Sequence, residues 1–130
     1  MKTITIKTSS KESFINITSL IQAELKTYSV QNGICTILIP HTTAGITLNE
    51  NADHDVISDM LMAFDKLVPS LNFRHMEGNS KAHIKSSLIG CSLNVIIENG
   101  SLMLGTWQGI YFCEFDGPRT RKIYIHCQKS

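Results

Sequence analysis

A chain of 130 residues, 42% apolar and 18% charged with three prolines, can bury a core without disulfide staples and is too apolar to stay disordered. Twelve basic residues against eleven acidic ones give a net charge of +1, with no basic run of the kind nucleic acid or an anionic membrane surface requires. No apolar stretch approaches membrane-spanning length, so a cytoplasmic protein is expected.

Ile4 and Ile6 alternate with Thr3, Thr5 and Lys7, the pattern of a half-buried strand and not of a signal peptide. Phe14 to Ile17 suggests a second, short strand. Ser19-Leu20-Ile21-Gln22 has the S-x-x-Q form of a capping box, and Ile17, Leu20, Ile21, Leu25 and Tyr28 share one helical face, with Asn32-Gly33 as the stop. Ile34 to Ile39 is nearly continuous in apolar residues and predicts a central buried strand ended by Pro40. His41-Thr42-Thr43-Ala44-Gly45 then reads as a polar, glycine-bearing segment, where functional side chains are often displayed.

The clearest helix starts at the cap residue Asp53, and Val56, Ile57, Met60, Leu61, Phe64, Leu67 and Val68 form its 3.6-period stripe up to Pro69. Those residues are expected in the core. Ser70 to Ser80 is polar, unperiodic and long for a connection, which favours a functional loop. Ala82 to Leu88 predicts a short helix carrying His83. From Leu93 the pattern is β: Val95-Ile96-Ile97, a hairpin at Asn99-Gly100, a return through Leu102-Met103-Leu104, a strand from Trp107 to Phe115, and a last strand in which Ile123, Ile125 and Cys127 alternate with polar positions. Helices early and a meander late give an α+β fold in one domain over residues 1–130. Cys35, Cys91, Cys113 and Cys127 lack CxxC spacing and are expected to be small buried hydrophobes.

Five histidines invite a metal reading. His126 fits an ordinary strand position and His54 a solvated first helical turn. His41, His75 and His83 stand apart, because one follows a buried strand, one lies in the polar loop and one follows that loop. Three neutral imidazoles with an open fourth position make a catalytic zinc-type site. Separate histidines that hydrogen-bond locally explain the same spacing, and both readings stay open. Glu50 is a candidate general base or histidine-orienting carboxylate, against a plain loop residue. Arg119 can clamp a phosphate or pair locally with Asp116. Thr42 and Thr43 offer hydroxyls, and Gly105-Thr106 offers backbone amides, to an anion.

Taken in order, His41-Thr42-Thr43-Ala44-Gly45-Ile46, Asn49-Glu50-Asn51-Ala52-Asp53, Arg74-His75, Glu77-Gly78-Asn79, Ala82-His83-Ile84-Lys85, Leu104-Gly105-Thr106-Trp107-Gln108 and Glu114-Phe115-Asp116-Gly117-Pro118-Arg119 resemble the signature of the YjbQ-like family across essentially the whole chain. His54 departs from it, standing where the family commonly has proline, and the loop before Gly78 is short.

The resemblance implies an α+β, mixed or antiparallel β-sheet sandwich with a few helices packed on it, assembled as a homotrimer. It also implies a link to secondary thiamine-phosphate synthase activity, in which a pyrimidine diphosphate is joined to a thiazole phosphate with release of pyrophosphate. On that basis a divalent metal, zinc first or magnesium alongside a pyrophosphate, is expected on His41, His75 and His83. His41, Glu50 and Arg119 are the expected catalytic residues. Thr42, Thr43, Lys85, Thr106, Trp107, Asp116 and Arg119 are the expected contacts to a phosphorylated small molecule. The rival expectations are a non-catalytic trimer that binds a metal or small anion, and a structural protein.

Overall fold

The alternation of Ile4 and Ile6 with polar neighbours folds into the first strand, β1 (Lys2–Lys7), in a computed structural model that describes residues 1–130 throughout. It is followed by β2 (Ser13–Asn16), α1 (Thr18–Leu25), β3 (Gly33–Leu38), β4 (Ala44–Glu50), α2 (His54–Leu67), α3 (Ser80–Ile89), β5 (Ser92–Glu98), β6 (Ser101–Leu102), β7 (Gln108–Glu114) and β8 (Thr120–Lys129). All pairings are antiparallel. Five strands form one sheet in the order β1-β8-β3-β5-β6, and three form a second in the order β2-β7-β4.

The core lies between the sheets. Cys35, Ile37, Val95, Ile97, Ile123 and Ile125 from the large sheet meet Ala44, Ile46, Ile110 and Phe112 from the small one, and Ile17, Ile21 and Leu25 of α1 complete the same cluster. Strand β7 is buried on both faces. Its Ile110 and Phe112 point into this core, while Cys113 packs with Phe115 and with Ala82 of α3 in a second cluster. This is the expected α+β sandwich.

Several local expectations need correction. Ser19 caps nothing: the Asn16 side chain accepts from the Thr18 amide (3.0 Å) and hydroxyl (2.7 Å), and the helix starts at Thr18, two residues earlier than a Ser19 cap would place it. That helix does not run to Asn32-Gly33 but ends in a 3-10 turn, Lys26–Tyr28, closed by Ser29 in the left-handed region at φ 55°. Gly33 instead opens β3, where a Cβ would stand 2.0 Å from the Gln128 carbonyl oxygen. Strand β3 is central in its sheet but buried on one face only, and Ile34 is 48% exposed.

Ala44 and Gly45, read as the end of a polar segment, instead open the edge strand β4, which runs on to Glu50. The α2 stripe is less buried than expected. Only Ile57 and Val68 are buried, and Leu67 faces solvent. Cys91 is exposed, whereas the other three cysteines are buried. The Asp53 cap holds, its Oδ1 accepting the Asp55 amide at 2.9 Å. The Asn99-Gly100 hairpin also holds, with both residues at positive φ, as a type I′ turn requires.

Candidate functional site

The site begins with a charge buried where the two sheets meet. Counting back by twos from Cys127, Ile125 and Ile123 along the core face of β8 reaches Arg121, which is 2% exposed. Counting forward by twos from Ile110 and Phe112 along β7 reaches the fully buried Glu114. The two side chains therefore bridge the sheets at one end of the sandwich. Arg121 Nε donates to Glu114 Oε1 (2.9 Å) and Oε2 (3.1 Å), and Nη2 donates to Oε2, to Thr43 Oγ1 (2.9 Å) and to the Thr43 carbonyl (3.2 Å). Thr8 Oγ1 donates to Glu114 Oε1 at 2.7 Å, and the Asp116 amide donates to Oε2 at 3.1 Å. Burial alone would raise the Glu114 carboxyl. The donors Arg121, Thr8 and the Asp116 amide outweigh it and hold the group below the ordinary carboxylate value.

Above this pair opens a cleft of about 430 Å³, lined by Pro40 and eight polar residues: His41, Thr42, Thr43, Glu77, Asn79, His83, Arg119 and Arg121. His41 follows β3, and its Nε2 accepts the Lys122 backbone amide at 2.9 Å. A neutral imidazole that accepts at Nε2 carries its proton on Nδ1. Desolvation and the neighbouring Arg121 charge lower the pKa of His41, which favours that neutral form.

His83 reaches the cleft because α3 is clamped to β4. Ser86, one turn further along the helix, donates to the Ala44 carbonyl at 2.6 Å, and the Gly90 carbonyl accepts the Ile46 amide at 3.0 Å. A Cβ on Gly45 would stand 2.6 Å from that Gly90 oxygen, so the contact needs glycine.

Arg119 sits at the rim, 48% exposed, and pairs locally as one reading expected. Its Nε donates to the Asp116 carbonyl and its Nη2 to Asp116 Oδ2, each at 2.8 Å. Asn79 donates to the same carboxylate at 2.9 Å, and its Oδ1 is enclosed without a partner.

The predicted residues thus divide. His41, His83, Thr42, Thr43 and Arg119 share the cleft, and Asp116 holds Arg119 from behind. His75 lies on the exposed loop, its ring 5.4 Å from that of His83 and perpendicular to it, outside the cleft lining. No three His, Cys, Asp or Glu side chains are grouped so as to hold a metal ion in this arrangement, and His41 Nε2 is taken by the Lys122 amide.

Lys85 points away from the cleft. It is 2% exposed and bonded to Glu12 at 2.5 Å, with Asp65 at 3.6 Å, in a neighbouring cavity of about 330 Å³. Glu50, Thr106 and Trp107 lie at the opposite end of the small sheet. Ala44 pairs with Glu114 while Glu50 pairs with Gln108, and the six residue steps between span about 20 Å at ~3.3 Å each. There the Glu50 carboxylate accepts the Ala52 amide at 2.9 Å, and the Trp107 carbonyl accepts the Asn51 amide at 2.8 Å. Among the cleft residues, Arg121 and Asn79 were not foreseen. The signal for Arg121 was the strand alternation carried two residues further back.

Relatives agree with this fold over its whole length. The profile of the UPF0047 protein YjbQ-like family matches residues 2–130. The chain is 57% identical over 128 residues to the UPF0047 protein YugU of Bacillus subtilis, covering 96% of each chain. It is 53% identical over 121 residues to a UPF0047 protein of Methanocaldococcus jannaschii, covering 92% of this chain and 88% of that one. The crystal structure of an uncharacterized conserved YjbQ/UPF0047 protein from Clostridium acetobutylicum superposes with a TM-score of 0.96 at 51% identity, over 98% and 100% of the two chains. A protein of unknown function from Sulfolobus solfataricus still gives 0.94 at 28% identity, over 99% of this chain and 96% of that one. With the match unbroken from the first strand to the last, this chain belongs to the YjbQ-like UPF0047 family.

Proposed function

We propose that the protein is an enzyme that acts on a phosphorylated small molecule in this cleft, with the synthase chemistry linked to the family as its leading form. The observation that carries the reading is a lining without one apolar side chain apart from Pro40, in which two imidazoles and two guanidiniums converge. In that reaction a C–N bond forms between the pyrimidine's methylene carbon and the thiazole nitrogen, and the bond from that carbon to the diphosphate oxygen breaks. The departing pyrophosphate takes the electron pair, so donors and cations fixed around it lower the barrier. Arg121 and the Nδ1–H of His41 are the groups of this chain suited to that task, whereas Arg119 is paired with Asp116 at the exposed rim.

The test is product formation from the two phosphorylated precursors. Turnover above that of a His41→Ala control is expected, and turnover equal to that control rejects the synthase reading. A non-catalytic binder instead predicts anion binding with no product.

A second reading adds a divalent metal, zinc first or magnesium alongside a pyrophosphate, with His75 and His83 as ligands and His41 as a third. The 5.4 Å approach of the His75 and His83 rings favours it, but His41 can join only by giving up the Lys122 amide. Ligation through Nε2 displaces that donor, and ligation through Nδ1 moves the ring proton to Nε2, which then cannot accept it. Metal analysis of protein purified without a histidine tag tests this. Substoichiometric metal that is unchanged in His75→Ala rejects it.

The proposed assembly is a homotrimer. Its support is apolar surface on the outer face of the large sheet, where Ile34 pairs across strands with Ile96, and Leu38 with Tyr124. No helix is long and apolar enough to cross a membrane.

A further inference from the structure

Arg121 is held on one side only. A guanidinium carries five N–H donors in one plane, and Nε and Nη2 direct theirs to Glu114 and Thr43. The two donors of Nη1 meet no protein acceptor. Nη1 is not sealed off either, because Asn79 Oδ1 is the molecule's only enclosed side-chain nitrogen or oxygen without a partner, and Arg121 lines the cleft. The free edge of a guanidinium that is otherwise buried therefore faces the cleft floor.

Beside it, His41 has its Nε2 fixed on the Lys122 amide, which leaves Nδ1–H as a second donor on the same lining. Arg119 differs in its exposure. Its Nε and Nη2 are likewise committed, to Asp116, but its head is half exposed at the rim, where water screens its charge. A charge held rigidly by a buried carboxylate, with a free N–H₂ group left for a polar cavity, is an arrangement suited to a phosphate oxyanion. Glu77 is the only carboxylate on the lining, so donors outnumber acceptors around this floor.

We propose that Arg121 Nη1 and His41 Nδ1 form the floor of a phosphate subsite, and that Arg121 rather than the motif residue Arg119 anchors the phosphate or pyrophosphate group. This rests on the reading of the cleft as a site for phosphorylated molecules, and it names the group that holds them.

The test titrates the full-length protein with inorganic phosphate and with pyrophosphate, by calorimetry or by the 31P signal. Arg121→Lys keeps a cation for Glu114 but removes the Nη1 edge. It is expected to weaken anion binding about 10- to 100-fold, the loss of charge-assisted hydrogen bonds, with folding checked by the thermal melt. His41→Ala leaves the Arg121–Glu114 pair intact and is expected to weaken binding about tenfold through loss of one donor. Arg119→Ala is expected to stay within about threefold of wild type, as for a solvent-screened charge.

Anion binding unchanged in Arg121→Lys or in His41→Ala overturns the subsite, as does a larger loss in Arg119→Ala or no binding by wild type. If Arg121→Lys does not fold, the His41→Ala and Arg119→Ala comparison decides alone. Phosphate binding with this pattern but no product from the paired precursors supports the subsite and rejects only the synthase reading. Turnover that is indifferent to Arg121 does the reverse.

Discussion

At the scale of single residues, the Arg121–Glu114 pair joins stability to the site. Removing one partner of a buried ion pair leaves the other charge desolvated, which costs about 3–5 kcal/mol. Arg121→Met and Glu114→Leu are therefore each expected to lower unfolding stability by about that amount in urea. The double variant is expected to lose far less than the sum, since two apolar side chains replace two charges. A sum of the two single losses would show that the residues act separately.

The same pair sets a pH response. The Glu114 pKa is held below its ordinary value in the folded state, so its contribution to stability is complete above the ordinary value of 4.5 and is lost as pH falls from there through the lowered one. Chemical denaturation between pH 6 and pH 3 checks this, and the acid-side slope is expected to be shallower in the double variant. None of it was plain in the sequence. Arginine and glutamate are rarely buried unless paired, and the partner here sits seven residues away on a strand of the other sheet. Periodicity places Arg121 on the core face. Only the fold supplies the reason it can stay there.

At the scale of elements, what was legible followed from how strongly a segment states its own preference. The α2 helix has both a cap and a periodic stripe, and the β5–β6 hairpin has Asn-Gly. Asp53→Ala is accordingly expected to cost about 1 kcal/mol in thermal or urea unfolding, the usual loss for a cap that accepts one amide. Strand β4 was missed because its alternation is erased by tertiary contacts. Ala44, Gly45 and Ile46 are all buried in succession, with the core on one side and the end of α3 on the other. The capping box failed for a related reason, since the Asn16 side chain, three residues before Ser19, takes the Thr18 amide and hydroxyl and the helix begins ahead of Ser19.

The Gly45 contact carries a prediction that reaches the site. An alanine there places its Cβ against the Gly90 backbone, which cannot rotate aside, so α3 must move off β4 and carry His83 with it. Gly45→Ala is expected to lower both the melting temperature and phosphate affinity. Full affinity with a lowered melt would uncouple the helix position from the cleft.

At the scale of the whole molecule, the placement of Glu50 restricts how the family's motifs can act together. His41 and Glu50 belong to consecutive motif segments, yet β4 runs about 20 Å from Ala44, at the cleft end of the small sheet, to Glu50 at the other, too far for the Glu50 side chain to serve the cleft. Trp107, 66% exposed, and Thr106 share the Glu50 end. If Glu50 serves as base or positioning group for the His41 cleft, a second copy of the chain must present it.

That requirement meets the other feature of the surface, the Ile34–Ile96 pair on the open face of a central strand. A cross-strand apolar pair left in water is the kind of surface that association covers. Ile96→Lys is therefore expected to shift the protein toward monomer in light scattering with its fold retained by circular dichroism. Subunit mixing then asks whether the site is shared. His41→Ala and Glu50→Gln chains, each inactive as a pure assembly, are expected to regain turnover when co-expressed, because some mixed clefts take an intact His41 from one copy and an intact Glu50 from another. No recovery, in an assembly that light scattering shows to be mixed, would confine the chemistry to the cleft of a single chain. Glu50 would then be left as the loop carboxylate that its bond to the Ala52 amide already makes it.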